Sequence, residues 1–166
     1  MVSIRSLLMS GSRGRLVEVE ALAPGKRRWH SVDGVIEITV GGTPIVTAAE
    51  WDDIADLWSY VATLVDRMCA GDPQAETSFP DQPVTLRLVR KGGAMMEIAC
   101  ETGDERRRAV APADELIRAL CTAGVSFFDN LVRLGAPPEN YRSARDVLLK
   151  CAEMTGPATP DGDARG

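Results

Sequence analysis

Residues 35–50 read VIEITVGGTPIVTAAE, and this stretch decides the fold class. Apart from Glu37, its first six residues are apolar or β-branched, which is typical of a strand. Gly41-Gly42 separates two apolar runs and predicts a type I′ hairpin, because both central positions of that turn need positive φ. Pro44 lacks an amide donor, so the returning strand, 43–46, is short or lies at a sheet edge.

A long amphipathic helix is predicted directly after this hairpin. Thr47 and Glu50 form a capping-box pattern, which places the start of the helix near Ala48. Gly71 and Pro73 end it, so the predicted helix covers residues 48–69. Its apolar stripe, spaced by three and four residues, comprises Trp51, Ile54, Leu57, Trp58, Val61, Leu64, Val65 and Met68.

The same order of strands and then a helix recurs later in the chain. Strands are predicted at 84–90, 95–100 and 106–111, and Pro112 suits the first position of a second helix that runs to Leu134. Gly135 and two prolines end that helix, and a shorter third helix covers about Glu139–Glu153. Before residue 35, the alternating patterns predict strands at 2–9 and 15–22, and a less regular one at 27–32.

These patterns predict an α+β fold. Antiparallel β-meanders are each followed by a long amphipathic helix, the helices pack on one sheet face, and a short third helix lies at the C-terminus. Residues 1–154 are predicted to form a single domain, with a two-part organisation, 1–71 and 83–135, as the alternative. Residues 155–166 are rich in Gly, Pro, Thr and Asp, and are predicted to be a disordered tail. Residues 72–82 are predicted to be a polar connector.

Composition narrows the class of partner and the compartment. The formal charge of −5 argues against nucleic acid, because phosphate binding needs a basic field. No apolar run approaches the roughly 18 residues of a membrane helix, so no membrane contact is expected. The four cysteines, none in a CxxC pair, are typical of small buried residues in a reducing cytoplasm, where we expect the protein to reside.

Few residues carry a chemical motif. His30, followed by Ser31 and Asp33, has the composition of a triad without its spacing, and a polar turn residue is the favoured interpretation. Asp52 and Asp56 are one turn apart and could share a metal, although acidic residues are expected at a helix start anyway. The sequence therefore assigns no catalytic residue, no metal ligand and no cofactor. The basic clusters Lys26-Arg27-Arg28 and Arg106-Arg107-Arg108 are interpreted as solvated strand faces, with an anion or acidic-partner contact as the alternative.

The acidic, aromatic first helix and the connector after it are the predicted contact surface for another protein. An exposed aromatic side chain among acidic residues suits an interface hot spot. The predicted protein-binding residues are Trp51, Asp52, Asp53, Asp56, Tyr60 and Phe79.

Three stretches carry a resemblance to known proteins. Residues 51–68, the segment Phe79-Pro80-Asp81-Gln82-Pro83, and residues 110–134 with Phe127-Phe128 resemble small, mostly uncharacterised bacterial α+β proteins. Some of these are similar to immunity or accessory proteins of toxin systems. The resemblance covers roughly residues 35–135 and implies no active-site residue.

The sequence thus leaves three functional hypotheses. The first is a non-enzymatic protein-binding factor, such as an immunity or accessory protein of a toxin system. The second is a small-ligand-binding protein or an enzyme of a biosynthetic pathway. The third is a homo-oligomeric structural subunit, such as a homodimer that pairs through the edge strand Thr43–Val46.

Overall fold

The computed structural model describes residues 1–11 and 13–156, and their strands form two antiparallel sheets. The strands of the first sheet are β1 (Val2–Ser10), β2 (Arg15–Glu18), β3 (Asp33–Val40), β4 (Thr43–Val46) and the two-residue β5 (Asp52–Asp53). Their order is β2-β1-β3-β4, and β5 pairs with the start of β3. Because β1 pairs with both β2 and β3, this sheet is not the plain meander that was predicted.

The second sheet is a simple meander. Its strands are β6 (Gln74–Ser78), β7 (Val84–Lys91), β8 (Met95–Thr102) and β9 (Glu105–Pro112), in that order. Three helices complete the fold: α1 (Ile54–Cys69), α2 (Ala113–Arg133) and α3 (Arg142–Met154). One-turn 3-10 helices cover Val19–Ala21, Ala48–Glu50 and Pro138–Asn140. The predicted α+β class is confirmed, and a long helix follows each set of strands.

The predicted first helix begins too early. The capping box at Thr47 and Glu50 is present, but it closes a single 3-10 turn, and α1 starts only at Ile54 with Asp53 as its N-cap. Between the two, residues 52–53 are extended and pair with β3. In this extended segment the Asp52 side chain points into the interior, where its carboxylate accepts hydrogen bonds from two backbone amides of another segment.

Two further predictions differ from the structure. The polar connector, residues 72–82, contains β6, which pairs with β7 along its whole length. Residues 27–32, predicted as an irregular strand, form no regular element. Of the tail predicted to be disordered, 155–166, residues 157–166 lie outside the described residues.

Both sheets and all three helices contribute to one hydrophobic core. Trp58 of α1 is fully buried, and its indole N–H donates a 3.0 Å hydrogen bond to the Ser6 hydroxyl of β1. The Trp58 ring stacks on Phe127 of α2, with ring centroids 6.2 Å apart. Gly124 of α2 allows Trp58 and Leu148 to pack closely against this helix, because a Cβ there would lie 3.0 Å from the Trp58 ring and 2.5 Å from the Leu148 Cδ1 atom.

In the ranges 1–11 and 13–156, no helix has both the length and the apolar character that crossing a membrane requires.

Candidate functional site

Glu50 precedes the predicted contact surface and is buried rather than exposed, at 3% of its accessible area. Its carboxylate accepts hydrogen bonds from the Thr47 amide at 2.7 Å and from the Thr47 hydroxyl at 2.9 Å. It also pairs with the Arg107 guanidinium of β9. Burial acts to raise the pKa of Glu50, but the hydrogen bonds from Arg107 and Thr47 outweigh it and hold that pKa below the ordinary value. Glu50 therefore joins the first sheet to the second as a buried anion.

A lowered pKa makes the contribution of Glu50 to stability depend on pH. The group favours folding above its unfolded pKa, and this contribution is lost as the pH falls through the lower folded pKa. The difference in unfolding free energy between the wild type and Glu50→Gln should therefore narrow below about pH 4. Urea unfolding of both proteins at pH 7, 5, 4 and 3 measures this difference, and a constant difference would contradict the prediction.

Asp52 is also directed into the interior, with 1% of its area exposed. Its carboxylate accepts the backbone amides of Asp53 at 2.7 Å, Asp81 at 3.1 Å and Gln82 at 2.9 Å. These bonds hold the loop between β6 and β7 against the start of α1. Asp52, one of the predicted protein-binding residues, is therefore buried, although acidic residues near a helix start are usually exposed.

Asp53 has a mainly structural part as well. Its carboxylate accepts the amides of Ala55 at 3.1 Å and Asp56 at 3.2 Å, which caps α1, and the Val32 amide at 3.2 Å. Asp56 lies one turn further and is exposed. Burial, and then the negative charges of Asp53, Asp81 and Asp52, raise the pKa of Asp56. The start of α1 therefore has a negative electrostatic potential, and Asp56 is its solvent-exposed carboxylate.

The predicted aromatic residues fall into two groups. Trp51 and Tyr60 are each 43% exposed, whereas Phe79 is 4% exposed and belongs to the core. Tyr60 lies one helical turn after Asp56 on the outer side of α1. We call Trp51, Asp56 and Tyr60 the aromatic–acidic surface. Phe79, also among the predicted protein-binding residues, is not part of this surface because it is buried, and a single aromatic residue in a polar segment gave no sign that this segment contains a strand of the second sheet.

The arginine cluster of β9 is divided between two sides of the sheet. Arg107 faces the interior and pairs with Glu50. Arg106 and Arg108 face outwards, where their side chains lie 3.4 Å and 3.9 Å from the Glu97 carboxylate of β8. Side chains of neighbouring strand residues point to opposite faces of a sheet, so Arg107 points inwards while Arg106 and Arg108 point outwards. The interpretation of this cluster as a solvated strand face therefore does not hold for Arg107. Lys26–Arg28 lie in the irregular segment that precedes β3.

His30 lies in the same irregular segment and is exposed. The nearby Ser31 hydroxyl donates a 3.2 Å hydrogen bond to Asp33, so the sequence neighbours of His30 bond to each other. Within the described part of the chain, no group of three or more His, Cys, Asp or Glu side chains is arranged to hold a metal ion. Asp52 and Asp56 are accordingly separated in role, the first bonding backbone amides and the second facing solvent.

Comparison with protein-family models, with curated proteins and with solved structures finds no match to this chain.

Proposed function

We propose that the protein is a non-enzymatic binding protein that recognises a basic protein partner through the aromatic–acidic surface, in the manner of an immunity or accessory factor. The observation that carries the proposal is the setting of Trp51. It is exposed, yet both of its neighbours in the chain, Glu50 and Asp52, are buried carboxylates held by hydrogen bonds.

A fixed backbone makes an exposed tryptophan a better anchor. Binding orders side chains and loops at an entropic cost, and a position that is already held costs less to order. Glu50 is bound to Thr47 and Arg107, and Asp52 to three backbone amides. Trp51 thus offers a large apolar area at a position that folding has already fixed, which is typical of interface hot spots.

The charges around this surface favour a cationic partner. The pKa of Asp56 is raised by burial and by neighbouring carboxylates, so a lysine or arginine brought close to it would relieve the repulsion between these carboxylates. Exposed tryptophan and tyrosine rings also attract cations through their π faces. A basic protein surface therefore meets both the aromatic and the acidic members of the site.

The binding proposal predicts a specific loss on substitution. The full chain, immobilised and exposed to lysate of the producing cells, should retain one basic protein at a one-to-one ratio. Trp51→Ala should weaken the binding of that protein by about thirtyfold or more, as is usual for a hot-spot tryptophan. Raising the salt concentration should also weaken it, because the charges are exposed. Quantitative mass spectrometry of the bound fraction, followed by titration with the purified partner, measures both effects.

Val110→Ala is the matched control, since Val110 is an exposed apolar residue on β9, outside the aromatic–acidic surface. It should leave binding unchanged. The proposal fails if no stoichiometric partner is retained, or if Val110→Ala weakens binding as much as Trp51→Ala. A partner that proves to be a second copy of this chain would support the homo-oligomeric hypothesis instead.

A further inference from the structure

Three of the four cysteines meet where the helices pack together. Cys69 is the last residue of α1, Cys121 lies in α2, and Cys151 lies near the end of α3. The Cys151 thiol lies close enough to Cys69 and Cys121 for these thiols to influence one another's ionisation. Since α3 packs against both other helices, the three thiols form one cluster. Cys100 is elsewhere, on β8 opposite Arg107.

The three thiols differ in their access to solvent. Cys121 and Cys151 are buried, whereas Cys69 is partly exposed. Cys69 lines a cavity of about 620 Å³ together with residues from β8, α2 and α3, among them Met95, Ile117 and Met154. A small oxidant entering this cavity therefore reaches Cys69 before the other two thiols.

We propose that Cys69 is a site of thiol oxidation by hydrogen peroxide, and that Cys151 converts the oxidised thiol into a reversible disulfide between α1 and α3. In the first step the Cys69 sulfur attacks one peroxide oxygen, the O–O bond breaks, and Cys69 becomes a sulfenic acid with release of one water. In the second step the Cys151 sulfur attacks the Cys69 sulfur, the S–O bond breaks, and a second water leaves with the Cys151 proton. Two thiols lose two electrons in total, and peroxide is reduced to two waters. A dithiol reductant reverses the reaction.

The positions of the two thiols suit this sequence of steps. Sulfenic acids persist when no second thiol is in reach and condense to disulfides when one is. Cys69 is the last residue of α1, Cys151 lies near the end of α3, and these two helices pack against each other, so a displacement of the end of α3 can bring the two sulfurs to the bonding distance of about 2 Å. The inference is independent of the proposed binding function, because the aromatic–acidic surface contains none of these residues.

Burial sets the rate of the second step. It raises the pKa of Cys151 to about 12, and that of Cys121 also to about 12, so little thiolate is present at neutral pH. Only the thiolate attacks efficiently, so cross-linking should become faster as the pH rises from 7 to 9.

The experiment exposes the reduced full chain to a small excess of hydrogen peroxide and maps its peptides by mass spectrometry without reduction. The expected product is an intact chain lighter by about 2 Da, in which the Cys69 and Cys151 peptides are joined. Reduction by dithiothreitol should restore the starting mass. Because the bond closes a long loop, the oxidised chain should also melt about 5–10 °C higher than the reduced one.

Variants separate the roles of the four thiols. Cys100→Ser, the matched control outside the cluster, should form the same cross-link at the wild-type rate. In Cys151→Ala the sulfenic acid on Cys69 should persist and be trapped by dimedone. In Cys69→Ser, Cys151 should form no disulfide during the time in which the wild type forms its cross-link. The inference is overturned if wild-type Cys69 stays unmodified, if Cys69 is oxidised without a bond to Cys151, or if Cys100 reacts first.

Discussion

Replacing Arg107 with alanine should lower the free energy of unfolding by about 3–5 kcal/mol, because Glu50 would remain in the interior as an unpaired charge. The Arg107 guanidinium is the cationic partner of a carboxylate that is almost fully buried, and it also approaches the Thr47 hydroxyl at 3.5 Å. The pair lies where β4 of the first sheet contacts β9 of the second. Urea unfolding at pH 7 measures the loss.

Arg106→Ala is the matched control, since it removes the same side chain from the next residue of β9. Arg106 is on the outer face, with 42% of its side chain exposed, and the Glu97 carboxylate that it approaches keeps Lys91 and Arg108 as cationic neighbours when Arg106 is removed. Its loss should cost less than about 1 kcal/mol. Equal losses from the two substitutions would contradict the assignment of Arg107 as the buried partner.

A double substitution tests the same pair from the other side. Glu50→Leu combined with Arg107→Leu removes both charges, so no unpaired ion is left in the interior. The double variant should be more stable than either single variant, since replacing a whole buried ion pair often costs little.

Gly34→Ala is the second substitution for which we expect a large effect, a loss of about 3 kcal/mol or more. Gly34 lies at the start of β3, between Leu8 of β1 and Asp52 of β5. A Cβ there would overlap the Leu7 carbonyl oxygen, which is backbone and cannot rotate away, and would lie 3.0 Å from the Ile54 Cδ1 atom. The strand pairing that positions the start of α1 would therefore have to shift.

Gly92→Ala provides the comparison for this second prediction. Among the described residues, no neighbouring atom lies within 4 Å of a Cβ built at Gly92, and its φ is outside the left-handed region. The change should be neutral or slightly stabilising, because alanine restricts the unfolded chain. Thermal and urea unfolding measure the stability of both variants. A Gly34→Ala protein as stable as Gly92→Ala would contradict the predicted overlap with the Leu7 backbone.

The strongly patterned elements could be predicted from the sequence. The Gly41-Gly42 turn, β4 and the end of α1 all lie where the local pattern places them. Local patterns suffice there because the apolar period and the turn residues act over a few positions. No local pattern indicates the role of Gly34, which is to admit the neighbouring backbone of Leu7.

The candidate site was harder to predict because its arrangement depends on residues far apart in the chain. Glu50 and Asp52 lie in a segment whose composition is typical of an exposed helix start. They can be buried because Glu50 pairs with Arg107, and Asp52 accepts hydrogen bonds from the amides of Asp81 and Gln82. The cysteine cluster combines three helices in the same way. A weak signal was present, since Cys121 and Cys151 fall on the apolar sides of their helices, but this phase is equally typical of ordinary core cysteines.

The pairing of Glu50 with Arg107 also bears on the order in which the chain acquires its shape. The two residues are 57 positions apart, so a chain emerging during synthesis holds Glu50 without its counter-ion until β9 has been made. Contacts between residues so far apart form late, because closing a long loop costs conformational entropy before the contacts that offset this cost have formed. We therefore expect the turn that presents Trp51 to be among the last parts of the chain to reach its final form, and recognition by this surface to begin only when the second sheet is complete.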